Sequence, residues 1–211
     1  MIINELYQTK IECVKDNTTT PYYNVNIDAT DVKVIVSLID FNGAAVSNKA
    51  VTLTCDRGTF TTAKSGSSTS ITNNGKTFTG TTGSDGKISV LYTASEWGLA
   101  TFSTNNITAQ CNVTGWKSVA GNGTTYTILQ NKNNVKLLLN GWTSSQVSTS
   151  WNQLGGSAYA STVKPNQYIF ATYVAQGLYF RINPVGEIHY RAITGNVGAV
   201  PIYLQIDWTI N

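Results

Sequence analysis

The chain has 211 residues, enough for one large or two small domains. Only 12% of its residues are charged, against roughly 25% in an average soluble domain, and the net charge of +3 is dispersed without a basic run. These values argue against nucleic-acid binding, and the sequence has no apolar run of membrane-spanning length, which argues against membrane insertion. Abundant Thr, Ser, Asn and Gly favour strands and turns, so we expect an all-β fold.

Short apolar alternations separated by turn residues fill the first half of the chain. The alternation predicts strands at 3–15, 32–38, 50–55, 88–92, 99–103 and 107–113. The segment Thr61–Ser70 is rich in Thr, Ser and Gly, which predicts an exposed edge or a mobile loop. Asn74-Gly75 predicts a type I′ turn that places Ile71 near Phe78. The first residues lack the apolar core of a signal peptide, which favours synthesis in a cytoplasm or a leader already removed.

Three cysteines are present, so at least one is unpaired within the chain. Cys55 ends an alternating set of apolar residues and Cys111 lies within another, so both side chains should point inward. Buried thiols that act as small apolar residues are one reading, and a disulfide between Cys55 and Cys111 is the other. The spacing of Cys13, Cys55 and Cys111 and the distant His189 argue against a zinc site, so we expect no metal.

A resemblance emerges from two stretches of the first half, VSLIDFNGAAVSNKAVTLTCDRGTF at 36–60 and TTGSDGKISVLYTASEWGLATFST at 81–104. The two stretches resemble bacterial Ig-like domains of the invasin and intimin type, from about Val32 to Val113. The resemblance implies an Ig-like β-sandwich over 1–114 that serves as a spacer or adhesive unit without catalytic residues.

The second half, expected as a separate domain over 115–211, follows a polar linker placed at about 114–124. Strands are predicted at 125–130, 135–140, 148–154, 167–174, 178–183, 187–193 and 202–210. The runs SWNQLGG, STVKPNQYIFATYV, GLYFRINPVGEIHYRAI and IYLQIDWTI resemble the C-terminal domains of phage tail-fibre and baseplate proteins, with a departure at 158–165. That resemblance implies a fibre-head, jelly-roll-like β-sandwich that is trimeric and faces a receptor.

The stretch Leu178–Ile193 carries the candidate site. Apolar and polar residues alternate on both sides of Asn183-Pro184-Val185-Gly186, which predicts a β-hairpin closed by a tight turn. The resulting register gathers four ligand-binding candidates on the face opposite the apolar set: Tyr179, Arg181, His189 and Arg191. Their types suit a sugar, with Tyr159, Tyr168 and Tyr173 nearby in sequence. The same face could instead serve cross-strand stability or lie between subunits of a trimer, and the sequence leaves these alternatives open.

No arrangement of residues indicates catalysis. His189 is the single histidine, and no G-x-S-x-G motif accompanies it. In the second half the acids are Glu187 and Asp207, on separate predicted strands, which argues against a glycosidase pair. We therefore expect no catalytic residues, no cofactor and no enzyme activity.

Together these observations predict a virion structural and adhesion protein of a phage-like virus, made in the host cytoplasm and displayed on the virion surface. Its partners would be copies of itself in a homotrimer, other virion proteins through the N-terminal region, and a host surface glycan or protein. A capsid decoration or head-fibre protein is one alternative. An extracellular adhesin on a prokaryotic cell surface is the other.

Overall fold

The computed structural model describes residues 7–105, 107–121, 126–143, 147, 149–154, 163–165, 167–173, 175, 177–195, 197–198 and 201–210. The chain forms two compact units, residues 1–115 and 116–211. The secondary-structure elements of the described residues are β-strands, and they form packed pairs of sheets. The predicted all-β fold of two sandwiches is thereby confirmed. No helix in the described part of the chain is long and apolar enough to span a membrane.

The first unit contains ten strands in two sheets. Their bounds are β1 Tyr7–Lys15, β2 Asn24–Asn26, β3 Val32–Asp40, β4 Ala50–Cys55, β5 Thr59–Ser65, β6 Ser67–Thr72, β7 Thr77–Thr81, β8 Lys87–Thr93, β9 Gly98–Thr104 and β10 Ile107–Thr114. One sheet has the order β1-β3-β8-β5, and the other has the order β2-β10-β9-β4-β7-β6. All described neighbours pair antiparallel except β2 and β10, which are parallel.

The core of the first unit lies between these two sheets. Alternate side chains of β3, from Val32 to Leu38, are at most 1% exposed, as the period-2 pattern predicts. The rings of Tyr92 and Phe102 meet edge to face with centroids 4.9 Å apart. This geometry is the one that aromatic quadrupoles favour, so the ring contact adds to the gain from burial.

The three thiols are part of this core. Cys13, Cys55 and Cys111 are free and buried, which confirms buried thiols and excludes the disulfide alternative in this structure. Burial raises the pKa of Cys13 to about 12, and it raises the pKa of Cys55 and Cys111 to about 11. The neutral thiol therefore dominates at physiological pH, and these cysteines act as small apolar side chains.

Two local predictions for the first unit are confirmed. Asn74 and Gly75 both have positive φ, and the amide of Lys76 donates to the carbonyl of Asn73 at 3.0 Å, as expected for a type I′ turn. Ile71 pairs with Phe78 across this turn. The Thr/Ser-rich segment 61–70 is the exposed edge: β5 and β6 end their respective sheets.

The second unit has eight strands in two four-stranded sheets. Their bounds are β11 Lys117–Gly121, β12 Tyr126–Asn131, β13 Asn134–Thr143, β14 Asn152–Gln153, β15 Ile169–Tyr173, β16 Leu178–Ile182, β17 Ile188–Ala192 and β18 Pro201–Thr209. The sheet orders are β11-β12-β13-β18 and β14-β17-β16-β15. Leu137 and Ile206 from the first sheet and Phe180 and Ile188 from the second are at most 4% exposed, so the core sits between the sheets.

Two predictions for this half are wrong in detail. Residues 117–121 were expected within a linker, but they form β11, an edge strand paired with β12 and interrupted by a bulge. An edge strand needs apolar residues on one face only. The sequence of β11 can therefore be polar and contain Gly, and such a sequence resembles that of a loop. The strand expected at 148–154 reduces, in the described residues, to the two-residue β14.

Candidate functional site

The hairpin between β16 and β17 closes where the sequence predicts. The amide of Gly186 donates to the carbonyl of Asn183 at 2.8 Å, and Gly186 adopts φ +89°. The side-chain oxygen of Asn183 accepts from the amide of Glu187 at 2.8 Å, and its amide group donates to the Glu187 carboxylate at 2.7 Å. The turn is thus tied by both backbone and side chains, which fixes the register of the strands that follow.

The register brings the four candidate residues together on one face. Tyr179 pairs with Arg191, and Arg181 pairs with His189. Their side chains are half-buried, whereas Phe180 on the opposite face has no exposed surface. The hairpin therefore separates an apolar core face from a polar outer face, as its alternation predicts.

Neighbouring strands widen this outer face. On one side Gln153 of β14 pairs with His189, and Trp151 immediately precedes that strand. On the other side Phe170 of β15 pairs with Arg181, and Thr172 pairs with Tyr179. Because paired residues project to the same side of a sheet, these side chains continue the surface begun by the hairpin.

Trp151 is the centre of this surface. The guanidinium carbon of Arg181 lies 4.3 Å from the Trp151 ring centroid, and that of Arg191 lies 4.9 Å from it. Arg191 also stands 5.5 Å from the Tyr179 ring, and Arg181 stands 5.8 Å from the Tyr168 ring. The result is a row of alternating rings and cations, each within the distance at which a cation is attracted to an aromatic ring.

The margin of this surface is apolar and open. Tyr168 is 50% exposed and Phe170 is 68% exposed, and their rings stack with centroids 6.0 Å apart. A depression of about 360 Å³ is lined by Trp151, Phe170, Tyr179 and Arg191 among others. We call this surface the arginine–aromatic face; it comprises Trp151, Tyr168, Phe170, Tyr179, Arg181, His189 and Arg191.

The electrostatics of the face are set by its two arginines. Among the described residues no carboxylate forms an ion pair with Arg181 or Arg191, and the Nε atoms of both are buried without a hydrogen-bond partner. His189 lies 3.8 Å from the Glu187 carboxylate, measured from Nε2. Burial, followed by the charge of Arg181, lowers the pKa of His189, so this imidazole is neutral at pH 7.

Sequence reasoning missed two members of the face. Trp151 and Phe170 were not singled out, although Phe170 shares the period-2 pattern with Tyr168. Tyr173, which lies near the candidates in sequence, packs against the core of the second unit. Tyr159 lies outside the described residues. Trp151 could not have been assigned from the sequence, because its neighbours belong to strands about 30 and 40 residues later.

A second concave feature lies elsewhere in the same unit. A groove of about 790 Å³ is lined by Trp116, Lys136, Gln205 and Asp207 among others, and Lys136 Nζ lies 4.5 Å from the centroid of Trp116. In this groove one cation contacts one ring and an acid lines the wall, so its charge is balanced. In the described part of the chain no group of three or more His, Cys, Asp or Glu could hold a metal ion.

Comparison with known proteins finds similar solved structures only. No family model and no curated protein matches this chain. The structure of the Yersinia pseudotuberculosis adhesin InvE matches with 13% identity and a TM-score of 0.36, covering 96% of this chain and 58% of that one. Domains 4–9 of the surface-layer protein SbsC match with 13% identity and a TM-score of 0.28, covering 92% of this chain and 30% of that one. The chain thus spans less than two thirds of either neighbour.

Proposed function

We propose that residues 116–211 form a non-catalytic binding module that attaches to carbohydrate on a cell surface through the arginine–aromatic face. The observation that carries this proposal is the row of rings and guanidinium groups around Trp151, flanked by the exposed pair Tyr168 and Phe170. Aromatic rings offer flat surfaces on which the apolar side of a sugar can lie, and guanidinium groups donate hydrogen bonds to its oxygens.

The rigidity of the support favours binding. Tyr179, Arg181 and Arg191 stand on paired strands whose opposite face is packed in the core, and the arginines are held by ring contacts. Side chains that are already ordered lose little entropy when a ligand arrives. A surface of this kind suits repeated, shallow contacts along a polymer better than enclosure of a small substrate, because its depression is open and modest in size.

A binding role also agrees with the acid–base groups of the face. Glu187 borders the face and immediately precedes β17, which carries His189, and the Glu187 carboxylate accepts a hydrogen bond from the Asn183 side-chain amide. In the described residues no hydrogen bond links His189 to a serine, threonine or cysteine side chain that could act as a nucleophile. We therefore assign these groups to the shape and charge of the surface.

The setting that we propose is the surface of a phage-like virion, with the second unit presented outward and the first as a spacer. Its support is the resemblance of residues 142–208 to fibre and baseplate domains and of residues 32–113 to bacterial Ig-like domains. We further propose assembly as a homotrimer and attachment to other virion proteins through the N-terminal region. Antibody labelling of intact particles and of uninfected cells separates a virion protein from a prokaryotic surface adhesin, and label on heads alone favours a capsid decoration protein.

Binding is tested with the full chain and purified cell-wall polysaccharide immobilised on a biosensor. Trp151→Ala removes the central ring, and we expect affinity to fall by about tenfold or more, the equivalent of roughly 1.4 kcal/mol. Trp116→Ala is the matched control, because it deletes an exposed tryptophan that contacts a cation in the other groove. We expect that variant to bind as the parent does.

Three results would overturn the proposal. Equal binding by the parent and Trp151→Ala chains would show that the site lies away from this face, and loss of binding in Trp116→Ala alone would place it in the second groove. If Trp151→Ala instead abolished self-association, measured by light scattering, while polysaccharide binding persisted, the arginine–aromatic face would be a subunit interface.

A further inference from the structure

We infer that the ligand of the arginine–aromatic face is anionic, an acidic polysaccharide whose repeating carboxylate or phosphate groups bind Arg181 and Arg191. This inference rests on the proposed function and adds the charge class of the ligand. It is carried by two guanidinium groups that are ordered on one sheet face, contact the same ring, and have no carboxylate partner among the described residues.

Aromatic rings hold the two guanidinium groups of the face. Both contact aromatic rings, and an aromatic ring attracts a cation without neutralising it. The Nε atoms are buried and lack hydrogen-bond partners, so the terminal nitrogens are the guanidinium donors that a ligand can reach. The rings also displace water from one side of each cation, which strengthens its interaction with an arriving anion.

The positive charges of the face outnumber the negative charge beside it. Arg181 and Arg191 contribute two positive charges, and Glu187 contributes the negative charge present among the described residues there. Its carboxylate already accepts a hydrogen bond from Asn183 at 2.7 Å and faces His189, not either arginine. The face therefore carries one positive charge in excess when His189 is neutral.

Anionic groups suit the two arginines better than neutral groups do. A planar guanidinium group matches a carboxylate or phosphate through paired hydrogen bonds, whereas a neutral hydroxyl would leave its charge unpaired. Single-stranded nucleic acid also combines phosphates with stacking bases. It requires a positively charged groove that follows the backbone over several nucleotides, and this chain carries a net charge of only +3. The chemistry of the face thus favours an acidic polysaccharide.

The test uses the full chain and four probes of similar length. Polygalacturonate supplies carboxylates, poly(glycerol phosphate) supplies phosphates, dextran is the neutral polymer, and oligo(dT) represents nucleic acid. We expect one or both of these anionic polymers to bind at least about tenfold more tightly than dextran or oligo(dT). We also expect that affinity to fall by several-fold or more between about 0.05 M and about 0.3 M salt, because partly exposed charges are screened.

Variants assign the charge effect to the face. Arg181→Gln and Arg191→Gln should each weaken binding of the acidic polymer by about fivefold or more and reduce its salt dependence. Lys136→Gln is the matched control. It also removes one positive charge that contacts a tryptophan, but it does so in the other groove. If one arginine variant fails to fold, the other and the salt dependence of the parent chain decide.

The outcomes separate this inference from the proposed function. Equal binding of dextran and the acidic polymers, lost in Trp151→Ala, would overturn the inference and leave the proposed function standing. Failure of every polysaccharide, purified cell-wall material included, would overturn both. Tightest binding of oligo(dT), or equal losses in Lys136→Gln and the arginine variants, would also overturn the inference.

Discussion

Phe180 and Phe170 test the assignment of the two sheet faces with the same substitution. They lie on the neighbouring strands β16 and β15, where Phe180 pairs with Ala171 and Phe170 pairs with Arg181. Phe180 has no exposed surface, whereas Phe170 is 68% exposed. Replacing Phe180 by Ala removes a ring from the closed core and should cost about 3–5 kcal/mol.

The expected cost for Phe170→Ala is much smaller. Full burial of a phenylalanine side chain contributes about 1.5–3 kcal/mol, and about a third of this residue is covered, so its truncation should cost about 0.5–1 kcal/mol. For a unit of this size each kcal/mol shifts the melting temperature by about 4–8 °C. The Tm of the second unit should fall by at least about 12 °C in Phe180→Ala and by about 2–8 °C in Phe170→Ala.

Tryptophan fluorescence of the full chain suits this measurement, because four of the five tryptophans lie within residues 116–211. Polysaccharide binding at a temperature where both variants are folded supplies the second readout. We expect Phe170→Ala to bind more weakly and folded Phe180→Ala to bind normally. Equal destabilisation by the two substitutions, or a larger loss for Phe170→Ala, would refute the assignment of core and ligand faces.

Three further outcomes are expected. The thiols of Cys13, Cys55 and Cys111, whose pKa values burial raises to about 12, 11 and 11, should resist a thiol reagent at about pH 8 until denaturant is added; fast labelling of native protein would contradict their burial. Because the pKa of His189 is lowered in the folded chain, the contribution of this residue to stability is present above about pH 6.5 and is lost as the pH falls toward the folded pKa. When the urea midpoint is plotted against pH, the parent chain and His189→Gln should therefore differ in slope across that interval. Parallel plots would contradict the lowered pKa of His189. Light scattering should report a homotrimer formed through 116–211, since this region exposes several large apolar side chains; a monomer at every concentration would exclude it.

Local chemistry determined much of the architecture directly from the sequence. Alternating apolar residues identified β3, β16 and β17, because a strand with one buried face requires period 2. Asn74-Gly75 identified a hairpin through the positive φ that both residues tolerate. At Asn183–Gly186 the turn type set the register, and the register alone placed Tyr179 opposite Arg191.

The short or polar strands could not be predicted from local sequence. β11 has the composition of a linker, and it is a strand because β12 supplies its hydrogen-bond partners. β14 is two residues long, so no periodicity could reveal it. In both cases pairing with a neighbouring strand selects the backbone conformation, and the segment's own residues carry little preference; the partner is the next strand in the chain for β11 and a strand distant in sequence for β14.

Part of the candidate site was likewise predicted from the sequence, and part required the tertiary structure. Sequence placed Tyr179, Arg181, His189 and Arg191 on one face because all four belong to a single hairpin. Only the tertiary structure brought in Trp151, since the β14–β17 pairing joins segments separated by about 35 residues in the chain. Contact between the two guanidinium groups and this ring joins the cross-strand pairs into one cationic, aromatic surface. The attraction between a cation and a ring acts only at short distance, and pairing between strands that are distant in sequence brings these groups that close.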